Sequence, residues 1–302
     1  MKVLVTGVGG QLGYDVVNEL IDRNHIAVAS DIIDSVNLKK ESKYIRLDIT
    51  DKNSVEQVIF SEKPDAVIHC AAWTAVDLAE DEDNQGKVFA INADGTRYIT
   101  EACKKIDCKM IYISTDYVFD GQGTEPWRED CKDYAPLNIY GKSKLAGELA
   151  VAEFLEKYFI IRIAWVFGVN GNNFIKTMLN VGKRFTELRV VNDQIGTPTY
   201  TYDLARLLVD MVETEKYGYY HATNEGGYIS WYDFACEIFK QAGYDTKVTP
   251  VTTAEYGLSK AARPFNSRLG KDKLFENGFA PLPDWKNALS RYLKTLENGS
   301  NE

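Results

Sequence analysis

Lys2-Val3-Leu4-Val5-Thr6-Gly7-Val8-Gly9-Gly10-Gln11-Leu12-Gly13 is an apolar run that ends in clustered glycines and passes directly into a helical pattern over 12–23. A strand, a glycine turn and a helix in that order form a cradle for phosphate. Gly7, Gly10 and Gly13 permit the tight turn, the close approach of a pyrophosphate and close helix packing. The helix N-terminus then presents free N–H groups and the positive end of its dipole. The spacing departs from G-x-G-x-x-G, and alone it also fits a helix cap or a simple turn. A second strand over 26–30 ends at Asp31. Its carboxylate suits the hydroxyls of an adenosine ribose, although without the glycine turn it reads equally as a solvated strand-end acid. It would repel a 2′-phosphate and no arginine follows it directly, which favours NADH without excluding NADPH.

Outward from this turn, strands are expected at 44–47, 66–70, 109–114 and 159–165, and helices at 54–62, 85–105 and 140–158. This alternation predicts an α/β fold: a Rossmann-like, doubly wound parallel sheet with helices on both faces. Runs such as Ala66-Val67-Ile68 and Met110-Ile111-Tyr112-Ile113 are continuously apolar, as strands buried on both faces are. Asp48-Ile49 follows the 44–47 strand and fits either contacts to an adenine edge or a cap on the next helix. Past Gly168 the pattern loosens. Helices are expected at 204–213, 231–241 and 285–296, and short strands near 189–191, 219–222 and 247–251. The domains read as 1–167 for dinucleotide binding, completed by segments near 190–225, and 168–302 as mainly a smaller C-terminal α/β substrate-binding lobe. Residues 298–302 read as a frayed end.

The 302 residues carry 35 Lys+Arg against 44 Asp+Glu, a net charge of −9, and no block of basic residues. Nucleic acid and anionic membranes are therefore poor partners. No apolar run approaches a membrane span or a signal-peptide core, so a cytoplasmic protein is expected. Five cysteines lack a CxxC pair and three histidines lack metal-ligand spacing.

Tyr140 and Lys144 stand four apart, on one face of the expected helix. A free tyrosine has a pKa of about 10, and a neighbouring ammonium favours the phenolate. Such a phenol can give a proton to a carbonyl oxygen as hydride reaches carbon. Alone, Tyr-x-x-x-Lys is a common accident of surface helices. The strand end Ser114-Thr115-Asp116 changes its meaning, because the Thr115 hydroxyl can hold the same substrate oxygen.

Thr6-Gly7-x-x-Gly10-x-x-Gly13 with Tyr140-x-x-x-Lys144 resembles the extended short-chain dehydrogenase/reductases. Cys70-Ala71-Ala72-Trp73-Thr74-Ala75-Val76-Asp77, Ser114-Thr115-Asp116-Tyr117-Val118-Phe119-Asp120-Gly121, the stretches 136–148 and 162–168, and Arg263-Pro264-Phe265-Asn266-Ser267-Arg268-Leu269 narrow it to the dTDP-4-dehydrorhamnose reductases over nearly the whole chain. The resemblance implies NADH- or NADPH-dependent reduction of the C4 ketone of dTDP-4-dehydro-6-deoxy-L-mannose to dTDP-L-rhamnose. It implies Thr115, Tyr140 and Lys144 as the catalytic triad. Gly10-Gln11-Leu12, Asp31, Asp48-Ile49 and Ala71-Ala72-Trp73-Thr74 become cofactor contacts, as do Tyr140 and Lys144. Val76, Thr115, Asp116, Tyr117, Trp165 and Arg268 become substrate contacts. Some relatives bind Mg²⁺ at a homodimer contact through a Glu after the glycine turn, where this chain has the shorter Asp15. The sister dehydratases carry a Glu where this chain has Tyr117. Alternatives are another nucleotide-sugar 4-ketoreductase or an epimerase, or a non-catalytic subunit of the methionine adenosyltransferase beta type.

In the second lobe, Tyr200, Tyr202, Tyr228 and Trp231 fit either a stack on thymine or a small core. Val191-Asn192-Asp193-Gln194 suits base edges, and Arg263 and Arg268 suit a diphosphate or ordinary salt bridges. The 289–296 helical face reads as core.

Overall fold

In the computed structural model, which describes residues 1–38 and 42–299, the apolar runs become one sheet. Its strands are β1 (Lys2–Thr6), β2 (Ile26–Asp31), β3 (Lys43–Arg46), β4 (Ala66–His69), β5 (Lys109–Thr115), β6 (Tyr158–Ile163) and β7 (Gly218–His221). They lie in the order β7-β6-β5-β4-β1-β2-β3, and all neighbours are parallel. The order reverses between β1 and β4, and a crevice opens there beyond the strand ends, where ligands of such sheets bind.

Continuous apolar runs are required because both faces are covered. Val3, Val5, Ile111, Phe159 and Ile161 point to one side, under α1 (Gln11–Asp22) and the later helix Thr201–Val212. Leu4, Val67, Met110, Tyr112 and Ile160 point to the other, under α2 (Lys52–Glu62), the helix Thr96–Lys105 and the helix Ile139–Phe154. Both β7 and the helix Thr201–Val212 come from beyond residue 168.

A separate apolar cluster, with Phe167, Tyr200, Phe234, Trp285, Leu289 and Tyr292, holds the remaining helices Phe174–Gly182, Trp231–Ala242 and Trp285–Gly299. Leu289 and Leu293 are buried in it, as expected of core.

Two helices depart from expectation. The helix at 140–158 stops at Phe154, because Tyr158 is taken into β6 against Met110. The helix at 85–105 is interrupted by a π-helical turn, Ala90–Gly95. Of the expected frayed end, Asn298 is helical and 300–302 lie outside the described residues. No helix among the described residues is long and apolar enough to cross a membrane.

Candidate active site

The crevice is a cavity of about 840 Å³, reaching from the glycine turn to Tyr140 and on to Trp165. At its first end, Gly7 has φ +72°, and a Cβ there would meet the Ala71 amide nitrogen at 2.5 Å. A Cβ on Gly13 would meet the Gly7 carbonyl oxygen at 2.3 Å. The turn therefore closes against the β4 exit and the helix starts close to the turn. Gly10 caps α1 without a side-chain acceptor, so the first-turn N–H groups beside Gly10, Gln11 and Leu12 face the cavity they line. The Asp31 carboxylate accepts from the Gly9 N–H at 2.8 Å and the Ile32 N–H at 2.7 Å, which fixes it at the cavity edge.

Asp48 and Ile49 also line this end. Asp48 accepts from Thr50, whereas the cap on α2 is Asp51, which takes the Asn53 and Ser54 N–H groups. Ala71, Ala72 and Thr74 form a wall. Trp73 is not among the lining residues: its indole N–H donates to the Ala75 carbonyl at 3.0 Å and its backbone is tied to Asn92.

At the centre, Asn138 caps the helix Ile139–Phe154 by accepting from the Gly141 N–H at 2.8 Å. This places Tyr140 and Lys144 in the first two turns. A Cβ on Gly141 would meet the Tyr117 carbonyl oxygen at 2.3 Å, and one on Gly147 would meet the Tyr112 hydroxyl at 2.3 Å. Those glycines let the helix press onto the β5 exit. Thr115, Asp116, Tyr117, Tyr140 and Lys144 consequently share the cavity wall. The Thr115 hydroxyl donates to Asp116 Oδ1 at 3.0 Å and accepts from the Tyr117 N–H at 3.2 Å. The Tyr117 and Tyr140 rings meet edge to face at 5.6 Å.

The electrostatics correct one expectation. Burial pushes the Tyr140 phenol upward, the Thr115 hydrogen bond opposing it, so the net shift is opposite to that expected from the Lys144 ammonium. Lys144 donates to the Ile113 carbonyl at 2.6 Å and lies 4.1 Å from the Tyr112 ring centre. Burial lowers it to about 7, against the pull of Glu148. A buried amine that is itself close to losing its proton is a weak source of positive field. Burial likewise raises Asp116 to about 6.

Lys144 also predicts a pH effect on stability. Its folded pKa lies below that of the unfolded chain, so the unfolded state holds more protons between the two values. Stability therefore rises with pH from about 7 toward an ordinary lysine's value near 10.5. The wild-type melting temperature should climb between neutral and alkaline pH relative to Lys144→Met. Parallel melting curves for the two proteins would contradict this.

The far wall carries Val76, Trp165 and Trp231. Trp165 has φ +50°, a rare backbone for a bulky side chain. Its ring stacks on Trp231 at 3.8 Å and 16°. A Cβ on Gly196 would come within 3.0 Å of that ring.

The expected lobe contacts mostly lie elsewhere. Arg268 does not line the cavity; its guanidinium donates to Asn266 Oδ1 at 3.0 Å and sits by the Tyr228 ring. Arg263 pairs with Asp77 at 2.6 Å and reaches the Tyr117 hydroxyl. Asp193 and Gln194 hold Thr253. Tyr200 is core, stacked on Phe167. Tyr202 is exposed, and Tyr228 donates to the Leu269 carbonyl.

Asn92, on the π-helical turn, was missed. Its side chain bonds both backbone polar groups of Trp73 and the Ser143 hydroxyl, which donates to the Tyr140 carbonyl. It ties the cofactor-side loop to the tyrosine's helix. The available signal was an Asn, a residue that disfavours helix interiors, inside a long helical pattern.

The residues fit a nicotinamide dinucleotide. Uncapped N–H groups stand at one end and the Asp31 carboxylate beside them. The buried Ser30 and Ser114 hydroxyls, which line the cavity, have no protein partner. They do not fit a Mg²⁺ at a dimer contact: Asp15 is 9% exposed and accepts from the Thr201 hydroxyl at 2.5 Å, facing inward. No cluster of three or more His, Cys, Asp or Glu suited to a metal occurs among the described residues.

A family model described as the RmlD substrate binding domain matches residues 1–298. The chain is 39% identical over 301 residues to the dTDP-4-dehydrorhamnose reductase of Aggregatibacter actinomycetemcomitans, covering 95% of this chain and 97% of that one. A crystal structure of a dTDP-4-dehydrorhamnose reductase from Clostridium acetobutylicum superposes with a TM-score of 0.90 at 41% identity, over 98% of this chain and 100% of the other. One from Bacillus anthracis, in complex with NADP, gives 0.88 at 41% identity, over 97% and 99%.

Proposed function

This chain belongs to the RmlD substrate-binding-domain family of dTDP-4-dehydrorhamnose reductases, and from that membership we propose that it reduces the C4 ketone of dTDP-4-dehydro-6-deoxy-L-mannose to dTDP-L-rhamnose with NADH or NADPH. The observation that carries the reading is the convergence of Thr115, Tyr140 and Lys144 on a cavity continuous with the glycine turn. The nicotinamide supplies hydride to the sugar carbon when bound. Tyr140, kept protonated by burial, gives its phenolic proton to the C4 oxygen. Thr115 orients that oxygen. Lys144 holds the nicotinamide ribose, and its amine, near 7, changes protonation at little energetic cost at neutral pH. The α1 N–H groups hold the pyrophosphate, and Asp31 the adenosine ribose. Trp165, Trp231 and Val76 enclose the sugar nucleotide, with Asp116 and Tyr117 beside the reacting sugar.

Residues 1–167, with the helix Thr201–Val212 and β7, form the coenzyme unit of this proposal, and the rest of 168–302 the substrate lobe. A cytoplasmic location, where nucleotide sugar and reduced coenzyme are made, belongs to the same reading.

The test is to supply the enzymatically generated keto sugar with each coenzyme and to follow NAD(P)H absorbance and the sugar product. Coenzyme consumption with formation of dTDP-L-rhamnose is the expected result. Formation of the C4 epimer instead would assign a sister ketoreductase. An inert protein that binds another subunit would move the chain to the regulatory class.

A further inference from the structure

The sequence places no arginine directly after Asp31, but the sheet brings one there. In the β2–β3 register, Asp31 pairs with Arg46. Arg46 Nε donates to the Ile32 carbonyl at 2.9 Å, and the Tyr44 hydroxyl donates to the Ile33 carbonyl at 2.6 Å. Two β3 side chains thus fasten the turn that follows Asp31. Leu47 and Asp48, next in the chain, already line the cavity, as do Ser30, Asp31 and Ile32.

Beyond Nε, the Arg46 guanidinium meets Asp34 at 3.5 Å, with the two side chains 66% and 91% exposed. An ion pair that long and that wet exchanges readily for a better anion. Asp31 is the opposite case, since both its oxygens are occupied by backbone N–H groups and its place is fixed. The ribose end of the cavity therefore carries a fixed carboxylate, and next to that lining stands a guanidinium anchored at Nε on the Ile32 carbonyl and exposed at its tip. The carboxylate suits a ribose diol. A guanidinium presents a planar fork of donors that matches a phosphate and offsets the repulsion from Asp31.

We infer that Arg46 is the residue through which this chain accepts a 2′-phosphate on the adenosine ribose, so that Asp31 and Arg46 together set the choice between NADH and NADPH. The inference rests on the coenzyme reading above. Arg46 acts on the phosphorylated dinucleotide alone, because an unmodified ribose offers its fork no anion.

The experiment is calorimetric titration of the full chain with NAD⁺ and with NADP⁺, which reads binding rather than turnover. Arg46→Gln should weaken NADP⁺ by about tenfold and leave NAD⁺ within about twofold. Arg46→Lys, keeping the charge and losing the fork, should fall between. An equal loss for both dinucleotides would make Arg46 a mere staple of the turn and overturn the inference, as would no change for either. Wild-type protein that binds NAD⁺ but not NADP⁺ would overturn it while leaving the coenzyme reading intact. Wild-type protein that binds neither would overturn both.

Discussion

Tyr140→Phe should lower kcat by about 10²–10⁴-fold while NADH and NADPH affinities stay near the wild-type values. The substitution removes one oxygen and keeps the ring. The edge-to-face contact with Tyr117 at 5.6 Å does not need the hydroxyl, and the cap from Asn138 that starts the helix is untouched. What disappears is the proton that the sugar oxygen must receive as it gains negative charge. At 1.36 kcal/mol per tenfold, the loss amounts to about 3–5 kcal/mol of barrier. Burial raises this phenol rather than lowering it, so it stays protonated and uncharged at neutral pH. It acts as a reservoir for the oxygen, and no phenolate needs to form before hydride arrives. Steady-state kinetics with coenzyme titrations would decide the matter: turnover near wild type removes Tyr140 as the acid, and lost coenzyme binding shows that the effect is structural.

The largest expected stability effect lies at a pair that never touches the cavity. Arg162 on β6 and Glu148 on the helix Ile139–Phe154 are both 0% exposed and joined by two hydrogen bonds, 2.9 Å at Nε and 2.8 Å at Nη2. The guanidinium also meets the Tyr134 hydroxyl at 3.0 Å and lies within 5 Å of the Phe119 and Tyr219 ring centres. Arg162→Met keeps much of the volume but leaves the Glu148 carboxylate buried without its hydrogen-bonded guanidinium. Breaking one side of such a pair costs about 3–5 kcal/mol. The double variant Glu148→Leu/Arg162→Met should recover most of that, since an apolar pair of similar volume strands no charge. Urea midpoints with unchanged slopes measure both. A single variant as stable as wild type, or a double variant as weak as the single, would contradict the account.

The two predictions separate the protein's two uses of buried charge. Arg162 and Glu148 are paired through two hydrogen bonds and join the helix to the sheet. Lys144, on that same helix, donates to the Ile113 carbonyl and lies over a ring face, and burial outweighs the pull of Glu148 and brings it down to about 7. Its position weakens the fold at neutral pH and serves the site, a common trade at reactive centres.

Much of this was present in linear order. The β1 run, the glycine turn and α1 are adjacent in the chain, and each responds to local rules: apolar continuity for a strand buried on both faces, small residues where backbone closes on backbone, helical period after the turn. Tyr140 and Lys144 share a face through helix geometry alone. Gly147-Glu148 and Arg162 stood inside the stretches that carried the family resemblance, yet nothing local said that they pair.

What the amino-acid order settled by itself is therefore whatever depends on neighbours within a few residues: the strands, the phosphate-holding turn, the tyrosine–lysine face and the family. Three matters were left to the tertiary structure. It put Arg46 beside Asp31 through the register of a parallel pair. It placed Arg268, Asp193 and Gln194 outside the lining of the cavity. It reversed the expected sign of the Tyr140 shift. The reason is common to all three. Register, orientation and desolvation are sums over segments far apart in the chain, and a proton's affinity follows how much water those segments exclude together.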